Sequence, residues 1–198
     1  MVMCLWGFAH QLLSCVGALS ASPPQELRGN IRVYVRVKPL SQDERQAGVQ
    51  AVLRCTDDSR ISVAGQGAPR MFDFDRTFGP ETSQEVVFED VAQLVTSALD
   101  GFNVCIFAYG QTGAGKTFTM EGTPTNPGIN YRTMAELFRS IQEEHTADEV
   151  HSISASIVEI YNEVVHDLLA EEGKVERDLH RTSHGFDVVG LTERGMLR

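Results

Sequence analysis

The sequence is short of positive charge. It has 17 Lys and Arg residues against 27 Asp and Glu residues, which gives a formal net charge of −10 over 198 residues. Because nucleic acids and anionic lipid surfaces attract basic proteins, this balance predicts that neither nucleic acid nor a membrane is a partner of the chain. Hydrophobic residues make up 42% and charged residues 22%, as in ordinary globular proteins, which disfavours a disordered chain or a long coiled coil.

Cysteine is also scarce, and its spacing matches no metal-binding or redox motif. The four cysteines include no C-x-x-C pair, and the histidines do not cluster. Four cysteines could form two disulfides in a small secreted scaffold, but a chain of this length can build a core without them. Cys105 lies in an apolar run, where a thiol packs as a small hydrophobic group. We therefore expect reduced thiols and a cytoplasmic protein.

The first residues lack charge altogether. Residues 1–21 contain no Lys, Arg, Asp or Glu and end in small residues, as a secretory signal peptide does. The run lacks the positive amino-terminal region of such a peptide, and polar residues interrupt it, so it makes a poor membrane span. Pro23 and Pro24 then break the chain. We expect residues 1–24 to be a poorly ordered or artefactual leader and residues 25–198 to form the domain.

From residue 31 onward, strand patterns alternate with helix patterns. Strand patterns occupy residues 31–37, 51–53, 61–63, 71–75, 102–108 and 153–157. Amphipathic helices follow residues 82 and 133, the first opened by a capping-box pattern at Thr82 and Glu85, and residues 162–170 have the pattern of a short helix. The alternation predicts an α/β layer architecture, and the apolar run at 102–108 predicts a parallel strand covered on both faces.

One motif carries nucleotide chemistry. Residues 110–117 read GQTGAGKT and match the pattern G-x-x-x-x-G-K-[ST] between a strand and a helix. Glycines allow positive φ angles, so that successive backbone N–H groups form a nest for phosphate at the start of a helix. Lys116 would then reach the β- and γ-phosphates of a nucleotide, and the Thr117 hydroxyl would bind Mg²⁺. The predicted phosphate-binding residues are Gly110, Gln111, Thr112, Gly113, Ala114, Gly115, Lys116 and Thr117.

Residues 108–120, AYGQTGAGKTFTM, resemble the nucleotide-binding loop of kinesin motor domains. The stretches that agree with the family in order and spacing are NIRVYVRVKP at 30–39, FDFDRTF at 72–78, EIYNE at 159–163 with DLL at 167–169, and GLTE at 190–193. Residues 25–30 resemble the neck-to-motor junction of the C-terminal-motor, minus-end-directed kinesins. The resemblance covers residues 25–198.

The resemblance implies a P-loop NTPase fold with a mixed central sheet and helices on both faces. It implies an ATP- and Mg²⁺-dependent motor on microtubules, in the cytoplasm and cytoskeleton, with a coiled coil outside this sequence through which a homodimer could form. It places Arg36, Lys38 and Pro39 beside the adenine, with Lys38 where the family has arginine, which loses the planar fork. Phe118 falls where the family has a ring on the other side of the base, although core packing explains this ring equally well.

The family's two switch sequences, N-x-x-S-S-R-S-H and D-x-x-G-S-E, do not occur in these 198 residues. Phosphoryl transfer needs groups that orient water and compensate charge, so we expect no catalytic residue in this chain and no hydrolysis by it alone. The main microtubule-binding helices of the family follow the second switch, and a charge of −10 suits the acidic tubulin surface poorly. We also expect the strand at 102–108 to lack both ladder partners, which the later half of a kinesin motor supplies.

Two alternatives to a motor fragment follow from the same residues. One is a truncated isoform that binds nucleotide or partners without catalysis. The other is a P-loop enzyme of another class, such as a small nucleotide kinase, although the sequence shows no arginine-rich lid. The nearby residues Glu159, Glu163, His166 and Asp167 also allow a metal or acid–base cluster, and we favour a solvated strand end and helix start instead.

Overall fold

The computed structural model describes residues 2–6, 31–143, 152–182 and 185–197. Its strands, numbered in chain order, are β1 (Val2–Trp6), β2 (Arg32–Arg36), β3 (Leu53–Cys55), β4 (Arg60–Val63), β5 (Arg70–Asp73), β6 (Arg76–Phe78), β7 (Cys105–Tyr109), β8 (Gly122–Thr123), β9 (Asn126–Pro127), β10 (Ile153–Ala155), β11 (Val158–Tyr161), β12 (Val164–Asp167), β13 (Val175–Arg177), β14 (Leu179–Thr182), β15 (Gly185–Val188) and β16 (Arg194–Leu197). Its helices are α1 (Gln42–Gln46), α2 (Gln84–Leu99), α3 (Lys116–Met120) and α4 (Ile129–Glu143).

The central sheet has the strand order β6–β2–β1–β7. β2 is parallel to β6, whereas β1 runs antiparallel to both of its neighbours, so the sheet is mixed. β2 and β7 therefore point in the same direction, and their carboxyl ends lie on the same side of the sheet. Arg36 ends β2 and Tyr109 ends β7, so the predicted adenine segment and the glycine-rich loop both follow from these carboxyl ends.

The amino-terminal segment supplies a strand that the sequence analysis did not predict. Of the leader at residues 1–24, the structure describes only residues 2–6, which form β1; the remainder lies outside the described residues. Val2 pairs with Tyr109, and Trp6 pairs with Cys105. The prediction that the strand before the glycine-rich loop has no ladder partner is therefore wrong, because β1 pairs with β7 along its length. Among the described residues, the other edge of β7 is unpaired.

The main core lies between the central sheet and two helices. It consists of Tyr34, Phe78, Val87, Val91 and Ile129, each no more than 4% exposed. The rings of Tyr34 and Phe78 meet edge to face, with centroids 6.1 Å apart, an arrangement that aromatic pairs prefer. Burial of such apolar groups is the main stabilising term in folding. Here it holds α2 and α4 against one face of the sheet, at β2 and β6. A second cluster extends the core to β10 through Val95, Leu137, Ile141 and Ile153.

The opposite face of β2 is covered by a small antiparallel sheet. In it β4 lies between β3 and β5, and Ile61 packs against Val35 and Val37. β7 has no such cover, because Phe107 and Tyr109 are 42% and 68% exposed. The prediction of a parallel strand covered on both faces is therefore wrong for β7, which pairs antiparallel with β1 and has one half-buried and one exposed face.

Two helix starts differ from prediction. Helix α2 begins one residue later than expected, because Ser83 rather than Thr82 is the N-cap, and its hydroxyl accepts from the Val86 N–H. A complete capping box instead opens α1, which the sequence analysis missed. There the Ser41 hydroxyl accepts from the Glu44 N–H at 3.1 Å, and the Glu44 carboxylate accepts from the Ser41 N–H at 2.6 Å.

The helix predicted at residues 162–170 is a β-hairpin. Asn162 and Glu163 have φ angles of 48° and 65° and join β11 to β12, as in a two-residue turn that requires positive φ at both positions. β13 extends this hairpin to three strands, while β14 pairs with β15, and β10 pairs with β16. No helix among the described residues is long and apolar enough to cross a membrane.

Candidate nucleotide-binding site

The glycine-rich loop joins β7 to α3. Gly113 and Gly115 have φ angles of 79° and 93°, in the left-handed region that favours glycine. A Cβ atom built at either position meets no atom within 4 Å, so these positions require glycine for backbone conformation and not for space. Gly115 is the N-cap of α3, and the left-handed turn there directs the chain into the helix at Lys116.

Lys116 lies back over the loop from which its helix starts. Its ammonium Nζ donates to the carbonyl oxygens of Gly110 and Gln111 at 2.7 and 3.0 Å. An ammonium group has three donors, and these two bonds use two of them. Thr117 follows on the first turn of α3, where it is exposed. The loop therefore presents a cation and a hydroxyl at its mouth.

A cleft of about 190 Å³ lies beside the loop, and the predicted adenine residues line it. Lys38 and Pro39 enter it from the segment after β2, whereas Gly115 and Phe118 enter it from the loop and α3. The ring of Phe118 is 45% exposed, so core packing does not account for it. The structure thus brings together in one cleft residues that are far apart in the sequence.

Arg36 contributes to this cleft from a buried position. It is 9% exposed, and its guanidinium donates to Gln84 Oε1 at 2.8 Å and to Thr119 Oγ1 at 3.1 Å. It also donates to the backbone carbonyl of Thr82 at 3.0 Å. Burial lowers the pKa of Arg36 from its usual value. The predicted position of Arg36 beside the base stays a prediction; in the structure Arg36 lines the cleft and also joins β2 to the start of α2 and to α3 through these bonds.

Gln84 completes this buried cluster, and the sequence analysis missed it. Gln84 is 1% exposed, and while its Oε1 accepts from Arg36, its Nε2 donates to the carbonyl oxygen of Phe118 at 2.6 Å. Thr119 is equally buried. A glutamine in the first turn of a helix is ordinarily a solvated polar residue, so the sequence carries no local signal for its burial.

Comparison with known proteins identifies the family. Residues 36–197 match the family model of the kinesin motor domain. The chain belongs to the kinesin motor family. Its structure supports the same conclusion, since it matches the solved structure of a fast kinesin, described with implications for ATPase mechanism and interactions with microtubules, at a TM-score of 0.74 and 31% identity. The match covers 82% of this chain and 47% of that kinesin, and it confirms the predicted kinesin-motor fold.

Two similar proteins indicate the group of kinesins that this chain resembles. Kinesin-like protein KIN-14E of Oryza sativa subsp. japonica is 47% identical over 174 residues, which cover 85% of this chain and 16% of that protein. Kinesin-like protein KIN-14Q of Arabidopsis thaliana is 51% identical over 148 residues, or 73% of this chain and 12% of that protein. These are kinesins of the C-terminal-motor group that the sequence resemblance indicated. The chain thus spans less than a fifth of the length of these relatives.

A second cleft in this kinesin chain, of about 310 Å³, lies away from the glycine-rich loop. Asp57, Asp58 and Arg76 are among the residues that line it. The guanidinium of Arg76 is already paired with Asp58 at 2.8 Å and with Asp90 at 3.0 Å. Because its remaining charge is carboxylate, this cleft is unsuited to phosphate, and the loop cleft is the candidate nucleotide site.

The acidic stretch at residues 159–167 has a structural role. Asp167 is fully buried and accepts from the backbone N–H groups of Leu169 and Thr192 at 3.0 and 2.8 Å and from the Arg177 guanidinium at 3.1 Å. Burial alone raises the pKa of Asp167, but the hydrogen bonds outweigh it and lower the pKa to about 2. Glu159 pairs with Lys174. No cluster of three or more His, Cys, Asp or Glu residues suited to a metal occurs in the part of the chain that the structure describes.

Proposed function

We propose that this chain is the nucleotide-binding part of an ATP-driven microtubule motor. The observation that carries the proposal is the loop between β7 and α3, in which Gly113 and Gly115 adopt left-handed conformations and Lys116 begins the helix. Glycines in left-handed conformations allow successive backbone N–H groups of such a loop to form a nest for phosphate oxygens. Membership of the kinesin motor family supports ATP as the nucleotide and the microtubule as the track.

The loop binds the phosphates through backbone donors and one cation. On binding, Lys116 exchanges the carbonyl oxygens of Gly110 and Gln111 for phosphate oxygens, which form shorter and stronger charge-assisted bonds. Thr117 fits a magnesium site, because its hydroxyl is exposed beside Lys116 and Mg²⁺ prefers oxygen ligands. When bound, Mg²⁺ neutralises phosphate charge. Gln111, Thr112 and Ala114 complete the loop around the phosphates.

The cleft beside the loop takes the adenine. Pro39 and Phe118 line this cleft and offer apolar surface to the base, and Lys38 adds an exposed positive charge. In this proposal the main role of Arg36 is to support Phe118, and contact with the base is secondary, because its guanidinium is already bonded to three neighbouring groups.

The remaining activities of the motor require residues outside this sequence. The two switch sequences are absent from these 198 residues, and the chain covers 47% of the solved kinesin that it matches. We therefore propose that this chain binds nucleotide without turning it over. ATP hydrolysis, microtubule binding, homodimer formation through a coiled coil and localisation to the cytoplasmic cytoskeleton belong to the complete motor.

Replacing Lys116 tests the proposal directly. In Lys116→Ala, we expect the affinity for a fluorescent ATP analogue with Mg²⁺ to fall by about 10- to 100-fold, the effect of losing hydrogen bonds to a charged group. Lys174→Ala is the matched control, because it also removes one positive charge but lies at Glu159, away from the loop. Equal affinity of Lys116→Ala and the unchanged chain would refute the site, and phosphate release with or without microtubules would refute binding without turnover.

A further inference from the structure

Three elements of the site meet at one buried polar cluster. The end of β2 contributes Arg36, the first turn of α2 contributes Gln84, and α3 contributes Thr119 and the carbonyl group of Phe118. Gln84 and Thr119 are each 1% exposed. Buried polar groups are costly unless they are bonded, so a satisfied cluster of this kind specifies one arrangement of the elements that share it.

The carboxyl-terminal end of helix α3 depends on this cluster for its position. It has five residues, whereas isolated helices shorter than about 12 residues are marginal in water. The last carbonyl groups of a helix also lack partners within it. Gln84 supplies the partner of the Phe118 carbonyl, and Arg36 bonds the side chain of the next residue, Thr119. These two bonds hold the far end of α3, beyond the turn that carries Lys116.

Gln84 uses both ends of its amide. The acceptor end receives the Arg36 guanidinium at 2.8 Å, and the donor end reaches the Phe118 carbonyl at 2.6 Å. The guanidinium carbon of Arg36 lies 5.1 Å from the centroid of the Phe118 ring, within the range of a cation–π contact. The Gln84 side chain therefore binds both the Arg36 guanidinium and the backbone of Phe118, whose ring the guanidinium contacts.

We infer that Gln84 is a positioning residue that sets the base end of the nucleotide cleft. The inference rests on the proposed ATP site. Arg36 and Phe118 both line the cleft, and Gln84 determines how they lie relative to each other. The phosphates bind instead at the loop that continues from β7 and at the first turn of α3, which carries Lys116 and Thr117. Gln84 therefore acts on recognition of the base and leaves recognition of the triphosphate unchanged.

The test compares two ligands that share a triphosphate and differ in the base. The 198-residue chain is titrated with ATP and with inorganic triphosphate, each with Mg²⁺, and the ratio of the two affinities measures the contribution of the nucleoside. In Gln84→Met, which fills the space but cannot form either bond, we expect this ratio to fall about tenfold, the value of one strong hydrogen bond. Affinity for inorganic triphosphate should not change.

Two further variants complete the test. Gln84→Glu keeps an acceptor for Arg36 but removes the donor to the Phe118 carbonyl, so the ratio should fall in this variant too, and it decides the matter if Gln84→Met does not fold. Gln93→Met is the control, because Gln93 is exposed on the same helix. An unchanged ratio in a folded Gln84 variant overturns the inference and leaves the ATP site intact. Failure of the unchanged chain to bind either ligand overturns the proposed function itself.

Discussion

Replacing Cys4 of β1 by proline should separate β1 from β7, the strand that precedes the glycine-rich loop. β1 is paired with β2 at four positions and with β7 at five, and among the described residues it is the only partner of β7. Cys4 lies at the centre of both registers, opposite Val33 and Phe107. Proline has no N–H to donate and is not tolerated within a central strand, so Cys4→Pro should expel β1 from the sheet.

The size of the effect follows from the ladder. Five paired positions in an antiparallel register correspond to about five hydrogen bonds between β1 and β7. Each bond has a net value of about 1 kcal/mol, so release of β1 costs about 5 kcal/mol on the β7 side alone. Small domains are stable by only about 5–15 kcal/mol. Loss of β1 therefore removes a large part of the stability of this chain and exposes both facing edges, β2 and β7.

Hydrogen exchange followed by mass spectrometry measures this directly. We expect those amides of Cys105–Tyr109 that donate to β1 to be protected in the unchanged chain and in Cys4→Val, which keeps a strand-forming residue, and to exchange rapidly in Cys4→Pro. Arg60–Val63 serves as an internal reference, because β3 and β5 pair with it independently of β1. Equal protection of Cys105–Tyr109 in Cys4→Pro and the unchanged chain would show that β7 does not depend on the amino-terminal segment.

Two further predictions concern single residues. Because the pKa of Asp167 is about 2 when folded and 3.8 ordinarily, its carboxylate stabilises the fold at higher pH, and this contribution is lost as the pH falls from 3.8 towards 2. The urea midpoint should drop over that interval. Asp167→Asn should lack this step and be weaker at neutral pH, because its uncharged amide has only one oxygen, which cannot accept from Leu169 on one side and from Arg177 and Thr192 on the other. Gly115→Ala should weaken binding of the ATP analogue by about tenfold, because a left-handed conformation costs alanine about 1–2 kcal/mol. Gly65→Ala, where φ is ordinary and space is open, should have no effect, and an equal loss in both variants would contradict the role of conformation.

Local patterns in the sequence were sufficient for the nucleotide loop and the elements around it. Alternation at residues 31–37 predicted β2, the apolar stripes predicted α2 and α4, and the motif at 110–117 predicted a turn between a strand and a helix. These predictions succeed because periodicity and glycine conformation are properties of a few consecutive residues. The kinesin resemblance adds the expectation of ATP as the nucleotide and the microtubule as the track.

The hairpin at Asn162 and Glu163 shows where local reasoning fails. Residues 162–170 have an apolar spacing that suits a helix, but pairing of β12 with β11 on one side and β13 on the other forms a sheet instead. The strands between residues 175 and 197 are short and largely exposed, so they carry little hydrophobic pattern. Tertiary pairing overrides weak local preference in such segments.

The sheet position of β1 and the burial of Gln84 depend on partners distant in sequence. Residues 2–6 are apolar, and their sequence alone does not distinguish a leader from a strand. Their place is decided by β2 and β7, which lie one strand apart in the sheet, so that β1 can pair with both. Gln84 and Arg36 are 48 positions apart, and each is an ordinary polar residue by itself. They are buried together because packing of α2 against β2 excludes water, so that the amide and the guanidinium bond to each other and to nearby groups of α3 and Thr82.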